Sequence, residues 1–142
     1  MSDGTTKRKS HPIRLLLVCV IELSLWLSWM SIMFSANIIK VALKELSKLP
    51  AGLKAEMVEA IEELEQVGTD LKEPKVRDVG NGLKELRVSA QEGIARGFFF
   101  FTVGKQFYVV HVLHKKSQKT PKLSLELANQ RMKDIKRRLK NV

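Results

Sequence analysis

The chain has 142 residues, 44% of them hydrophobic, and carries 25 Lys and Arg against 15 Asp and Glu, a formal net charge of +10. This length fits one domain with a sizeable core, and the hydrophobic content excludes a disordered chain. The single cysteine, Cys19, excludes a disulfide scaffold and a cysteine-rich zinc site. The excess of positive charge favours an anionic partner, either a nucleic acid or an acidic membrane surface.

The positive charge is concentrated in the last quarter of the chain. Residues 104–142 carry a net charge of +9, residues 15–103 carry −2 and residues 1–14 carry +3. The lysines between positions 115 and 122 follow directly on a hydrophobic strand, where a fold often presents functional side chains. A solvated basic helix is the alternative interpretation for residues 131–140.

The first 29 residues are interpreted as an extension that precedes the domain, which we expect to span residues 30–142. Basic residues precede an apolar run over residues 13–34, a pattern typical of a signal peptide or a membrane span. Glu22 lies within that run, where an ionisable side chain is costly in lipid, and no convincing cleavage site follows. A start codon assigned too early, a membrane anchor and a signal peptide all stay open.

The pattern along the rest of the chain predicts an α+β fold, with an N-terminal strand, a helical hairpin, an antiparallel sheet of three to four strands and a C-terminal helix. The first strand is expected over residues 29–34, and Ser35 is expected to cap the first helix, which Pro50 ends. Ala51 begins the second helix, whose acidic face is most simply solvated, and Gly68 ends it. The later strands are expected at 75–79, 83–88, 94–102 and 106–113, and the last helix at Thr120-Pro121.

Two arginines on neighbouring predicted strands are the main sign of chemistry. Arg87 and Arg96 can approach each other across the ladder, and guanidinium groups bind a phosphodiester bidentately and stabilise charge on a pentavalent phosphorus. RNA supplies its own nucleophile, the ribose 2′-hydroxyl, so the protein need only orient it, remove its proton and neutralise the phosphate. A lysine crowded by other cations, or a histidine, could remove that proton.

Each of these residues also has a structural interpretation. Arg96 could be paired with Glu85 or Glu92 inside the sheet. His111 alternates with apolar residues and could be a satisfied core histidine, and His114 could be merely solvated at the end of its strand.

Three stretches resemble a known family in their order and spacing. They are Leu83–Val88, Glu92–Arg96 with the aromatic run after it, and His111–Pro121, of which the Lys-Lys-Ser-Gln-Lys-Thr-Pro segment is the most distinctive. Together with the helical hairpin they resemble the RelE/ParE toxin superfamily, specifically its HigB-like, phage-derived branch, over about residues 30–140.

The resemblance implies the toxin of a type II toxin–antitoxin system, a cytoplasmic, ribosome-dependent mRNA endonuclease. Such toxins cleave by attack of the 2′-hydroxyl without metal or cofactor, and a HigA-like helix-turn-helix antitoxin neutralises them. A ParE-like gyrase inhibitor without catalysis and an inactive, membrane-tethered remnant are the alternatives. A membrane partner is expected only if residues 13–34 are a true span.

The resemblance also assigns roles by position. Arg87 and Arg96 fall where the family's strand arginines contact the scissile phosphate, and His111 falls on its strand-end histidine. Lysines 115, 116 and 119 fall in its basic loop, whereas His114 has no fixed counterpart. The residues expected to be catalytic are Arg87, Arg96, His111, Lys116 and Lys119, and those expected to bind RNA are Lys115, Lys116, Gln118, Lys119, Thr120 and Lys122.

Overall fold

A computed structural model describes residues 33–115 and 120–141 of the chain. These residues form five strands, three α-helices and one 3-10 turn. In chain order the elements are β1 (Ser35–Ile38), α1 (Lys40–Ser47), α2 (Ala51–Val67), the 3-10 turn (Gly68–Asp70), β2 (Val76–Gly80), β3 (Leu83–Ala90), β4 (Gly93–Thr102), β5 (Gln106–Lys115) and α3 (Lys122–Lys140).

The five strands form one mixed sheet in the order β1-β5-β4-β3-β2. β1 runs parallel to β5, and the other neighbours are antiparallel. β4 is the central strand, and its residues from Ala95 to Phe100 are all buried, as the sequence predicts for a strand covered on both faces. The predicted α+β class is confirmed.

Helices cover both faces of this sheet. On one face α1 and α2 enclose the larger core, which includes Leu53, Met57, Phe99 and Phe107. On the other face α3 presents its buried side chains at helical spacing. The second core contains Leu83, Phe98, Phe100, Val110, Ala128, Met132 and Ile135.

The prediction that Ser35 caps the first helix is wrong. Ser35 is the first residue of β1, opposite Gln106 of β5, and the position before the first helical residue is occupied by Ile39. Pairing with β5 supplies backbone partners for the extended chain, which outweighs the capping preference of a serine hydroxyl. Of the predicted strand at 29–34, only residues 33 and 34 lie within the described residues, and they are not in a strand.

The tight turn between β2 and β3 is the one that the sequence predicts. Gly80, Asn81 and Gly82 have φ angles of 97°, 60° and 84°, a backbone region that asparagine and glycine tolerate and other residues avoid. This hairpin sets the register in which Arg77 of β2 lies opposite Glu85 of β3.

Among the described residues, no helix is long and apolar enough to cross a membrane. The apolar run predicted over residues 13–34 lies almost wholly outside those residues.

Candidate functional site

The face of the sheet that α3 covers changes from apolar to charged along its strands. Leu83 and Phe98 pack against α3, and the next side chains on the same face, by the alternation of a strand, are Glu85, Arg87 and Arg96. In the register, Glu85 is opposite Phe98 and Arg87 is opposite Arg96. The sequence therefore folds two guanidinium groups onto one face at one cross-strand position.

The two arginines differ in exposure and in partner. Arg96 is 2% exposed, and its Nε lies 2.8 Å from Oε1 of Glu85, whose carboxylate is equally buried. The structural pairing considered for Arg96 is therefore present. Arg87 is half-buried and remains accessible from solvent beside it.

Two further cations join this group. Lys115 is 4% exposed, and its Nζ has no hydrogen-bond partner among the described residues. Arg77 lies on β2, opposite Glu85. The cationic cluster thus consists of Arg77, Arg87, Arg96 and Lys115 around the single carboxylate of Glu85.

The pKa values of the cluster reflect this crowding. Burial lowers the pKa of Arg96, and Arg87 and Arg77 lower it further while Glu85 opposes them. Burial also lowers the pKa of the Lys115 ammonium, with Arg96 as the next cause. The charged forms of Arg96 and Lys115 are therefore destabilised by their surroundings, and a bound anion would stabilise them.

Of the other residues predicted to bind RNA, Thr120 is the one with a contact to this cluster among the described residues. The Thr120 hydroxyl donates to the Glu85 carboxylate, with its oxygen 3.1 Å from Oε2. Lys122 is exposed at the first turn of α3. Lys116, Gln118 and Lys119 lie outside the described residues.

His111 belongs to a separate buried network that joins α1, β5 and α3. Its Nδ1 lies 2.9 Å from Oε2 of Glu45, and its ring is stacked on Phe98 at 5.8 Å. Arg131 of α3 donates to Glu45 at 2.8 Å and to the carbonyl of Val110 at 2.9 Å. With only 5% of its surface exposed, His111 is engaged as a core histidine.

His114 lies on the exposed side of the end of β5. Its Nε2 is 3.2 Å from the backbone oxygen of Glu92, in the turn between β3 and β4. This contact gives the His114 ring a partner within the fold, so its position needs no catalytic explanation.

A groove of about 450 Å³ is lined by residues of α2, of the segment before β2 and of the adjoining parts of β3 and β4. It lies beside the cationic cluster, since both Arg87 and Arg96 line it. The remaining lining residues are Glu56, Glu59, Ala60, Pro74, Lys75, Val88, Ser89 and Ile94.

Sequence reasoning missed Arg77 and the two groove carboxylates. Arg77 carries a usable signal, because the Gly80-Asn81-Gly82 turn fixes a register in which it faces Glu85. Glu56 and Glu59 carry no such sequence signal, because their spacing on α2 is the same as that of the solvated glutamates beside them. The described residues contain no group of three or more His, Cys, Asp or Glu side chains that could hold a metal ion.

Comparison with known proteins adds three similarities. Residues 44–133 match the family described as phage derived protein Gp49-like. The fold is similar to a double mutant of E. coli toxin RelE in the free state, with a TM-score of 0.52 and 15% identity over 70% of this chain and 97% of that one. The toxin–antitoxin complex RelBE2 from Mycobacterium tuberculosis aligns with a TM-score of 0.47 and 17% identity, over 58% of this chain and 99% of that one. No curated protein sequence matches significantly.

Proposed function

The chain belongs to the phage-derived Gp49-like family, a family of RelE/HigB-type toxins, and from this premise we propose that it is an endoribonuclease that cleaves mRNA on the ribosome. The predicted membership of a phage-derived family of RelE/HigB-type toxins is confirmed. The substrate, the reaction and the ribosome are our proposal, and the cationic cluster is the observation that carries it.

The cluster has the composition that a phosphodiester requires. Four cations surround one carboxylate, so a bound phosphate would lower the repulsion among them. Arg87 is accessible and would bind the scissile phosphate directly. Arg96, held in place by Glu85 at 2.8 Å, would stabilise the charge that develops on phosphorus without reorganising.

The proposed reaction is attack by the ribose 2′-hydroxyl on the adjacent phosphorus, which needs a proton acceptor and no metal. We place the base among the lysines at and after the end of β5, because Nδ1 of His111 is engaged with Glu45 and Arg131. Lys115 supports this assignment, since burial lowers the pKa of its ammonium. Lys116 and Lys119 stay in the proposal as base or RNA contacts, and Gln118, Thr120 and Lys122 as RNA contacts.

The proposed activity also implies where the protein acts and which partner it needs. A toxin that acts on translating ribosomes works in the cytoplasm and is harmless to its host only while an antitoxin is bound. We therefore propose a HigA-like antitoxin encoded beside it as the protein partner, and no small-molecule cofactor.

The decisive test is induced expression of the full chain with primer extension on cellular mRNA. We expect cuts within codons of translated messages and a loss of about 100-fold to 1,000-fold in cleavage for Arg87→Ala, the typical effect of removing one donor to a developing charge. Arg137→Ala is the matched control, because it removes one positive charge from an exposed position of α3. Intact mRNA together with a defect in DNA supercoiling would refute the proposal in favour of gyrase inhibition.

A further inference from the structure

The outer edge of β5 loses its strand partner halfway along the strand. β1 pairs with β5 only at residues 106–109, and the amide of Ile39 then donates to the carbonyl of Val109 at 3.3 Å. Beyond that bond the chain enters α1, and no other described strand lies on this side of β5. Residues 110–115 therefore have no strand partner on this edge within the described part of the chain.

Two charged side chains take the place of the missing strand. Arg131 of α3 donates to the carbonyl of Val110 at 2.9 Å. Oε1 of Glu45, on α1, accepts from the amide of Val112 at 3.3 Å and lies 2.8 Å from Nη1 of Arg131. In a parallel ladder, one residue of the added strand makes this same pair of bonds, one to the residue before its partner and one to the residue after it. The two side chains thus stand in for one strand residue opposite position 111.

The part of β5 that this ion pair covers has a composition that favours pairing with itself. Residues 108–113 read Tyr-Val-Val-His-Val-Leu and contain no acidic residue, lysine, arginine, proline or glycine. Segments of about six residues with high β-propensity and low charge pair with identical segments when their edges are exposed. Val41 and Leu127 lie one helical turn before the two charged residues and are 47% and 39% exposed, so apolar surface flanks this edge. An uncovered edge here therefore fits a second copy of this chain.

We propose that Glu45 and Arg131 form an edge cap, which prevents β5 from pairing with the β5 of a second copy of this chain. Their side chains are 22% and 18% exposed, so the pair is packed over the edge and does not extend into solvent. An added strand would have to break this pair and leave its charges partly buried, which disfavours strand addition. The cap acts on self-association and not on the proposed cleavage, so the two proposals can fail separately.

The first experiment measures self-association of the full chain by sedimentation velocity at increasing protein concentration. We expect the double variant Glu45→Ala with Arg131→Ala to form dimers, with an association constant at least about tenfold above that of the native protein. A cooperative thermal transition establishes that the variant is folded. If the double variant does not fold, Arg131→Leu takes its place and should dimerise in the same way, because it keeps an apolar stem on α3 and frees the carbonyl of Val110.

Three further variants serve as controls for the sedimentation result. Asp134→Ala with Arg137→Ala removes an exposed ion pair from the same helix and should leave the association constant unchanged. Glu45→Gln retains an acceptor for the amide of Val112 and should stay close to the native protein. The amide of His114 points to the same edge as that of Val112, by the alternation of a strand. Adding His114→Pro to the double variant should therefore reverse dimerisation, since proline is tolerated at a strand edge and cannot donate.

The second experiment locates the contact by amide hydrogen exchange. In the double variant, the amides of Val112 and His114 should become more protected as the protein concentration rises, whereas in the native protein their exchange should not depend on concentration. A purely structural ion pair predicts faster exchange in the variant at every concentration. A folded variant that stays monomeric, dimers whose β5 amides remain unprotected, or a native chain that already dimerises through β5 would overturn the edge cap.

Discussion

Two glutamates, Glu45 and Glu85, each pair with an arginine, Arg131 of α3 and Arg96 of β4, and their surroundings are opposite. Glu45 faces Arg131 and His111, and Arg131 also donates to the carbonyl of Val110. These contacts tie α1, β5 and α3 together. Glu85 has one carboxylate for four cations, and that imbalance leaves capacity for an anion. The comparison separates a network that joins elements of the fold from a cluster in which positive charge is in excess.

The largest effect should come from removing the carboxylate of the unbalanced cluster. Glu85→Ala leaves a buried Arg96 among like charges, so we expect a loss of about 3–5 kcal/mol in the free energy of unfolding. Urea denaturation measures this loss, and Glu62→Ala at an exposed helix position should change it by less than about 0.5 kcal/mol. A loss below 1 kcal/mol for Glu85→Ala would mean that the cations relax into solvent and that the cluster is not held together by this residue.

Removing the carboxylate of Glu45 should lower the free energy of unfolding by less than removing that of Glu85. Glu45→Ala leaves Arg131 bonded to the carbonyl of Val110 and partly exposed, so we expect a loss of about 2 kcal/mol. Amide hydrogen exchange should become faster in α3, which loses its link to α1. If exchange in α3 is unchanged, the network does not anchor this helix.

Lys115→Met should move stability and activity in opposite directions. The folded-state pKa of Lys115 lies below its ordinary value of 10.5, so the native protein binds fewer protons at this residue than the unfolded chain, and its stability rises with pH between the lowered pKa and 10.5. The variant lacks this cost, and we expect it to be more stable by about 1 kcal/mol at neutral pH. Urea denaturation across that window should show the two curves converge as the pH rises.

Cleavage by the same Lys115→Met variant should fall, because the cluster loses a cation and a candidate base. A variant that is less stable than the native protein at neutral pH would contradict the unfavourable placement of this ammonium.

The smallest effect should come from the hydroxyl that donates to Glu85. Thr120→Val keeps the shape of the side chain and removes one hydrogen bond, for an expected loss of about 0.5–1 kcal/mol in the free energy of unfolding. Thr120→Ser restores the hydroxyl and should recover most of that loss. Equal unfolding midpoints for the two variants would show that the hydroxyl contributes nothing to the cluster.

Much of the fold follows from local signals in the sequence. The short turn between β3 and β4 and the alternation of both strands predict that Arg87 and Arg96 approach each other, and the structure places them directly opposite. The start of the domain could not be predicted in the same way. β1 has four residues and a parallel partner about seventy positions away, so no local pattern specifies it.

The candidate site was predictable where it depends on neighbouring strands and unpredictable where it depends on distant contacts. His111 alternates with apolar residues whether it is catalytic or structural, and only its contact with Glu45, 66 positions earlier, distinguishes the two. Glu56 and Glu59 resemble any solvated acidic pair until the fold places them beside Arg87. A sequence pattern reports spacing along one element, whereas these roles depend on which elements meet.

The parallel pairing of β1 with β5 has a consequence for the order of folding. The hairpins β2–β3, β3–β4 and β4–β5 are local and close short loops, whereas β1 pairs only after residues 106–109 are in place. Closing the loop of about seventy residues between β1 and β5 is a non-local step, and non-local steps are slow in the folding of small domains. We expect β1 to join last and to leave first. The backbone edge of β5 is then uncovered in partly folded chains, while the cationic cluster, built from the local hairpins, is already assembled.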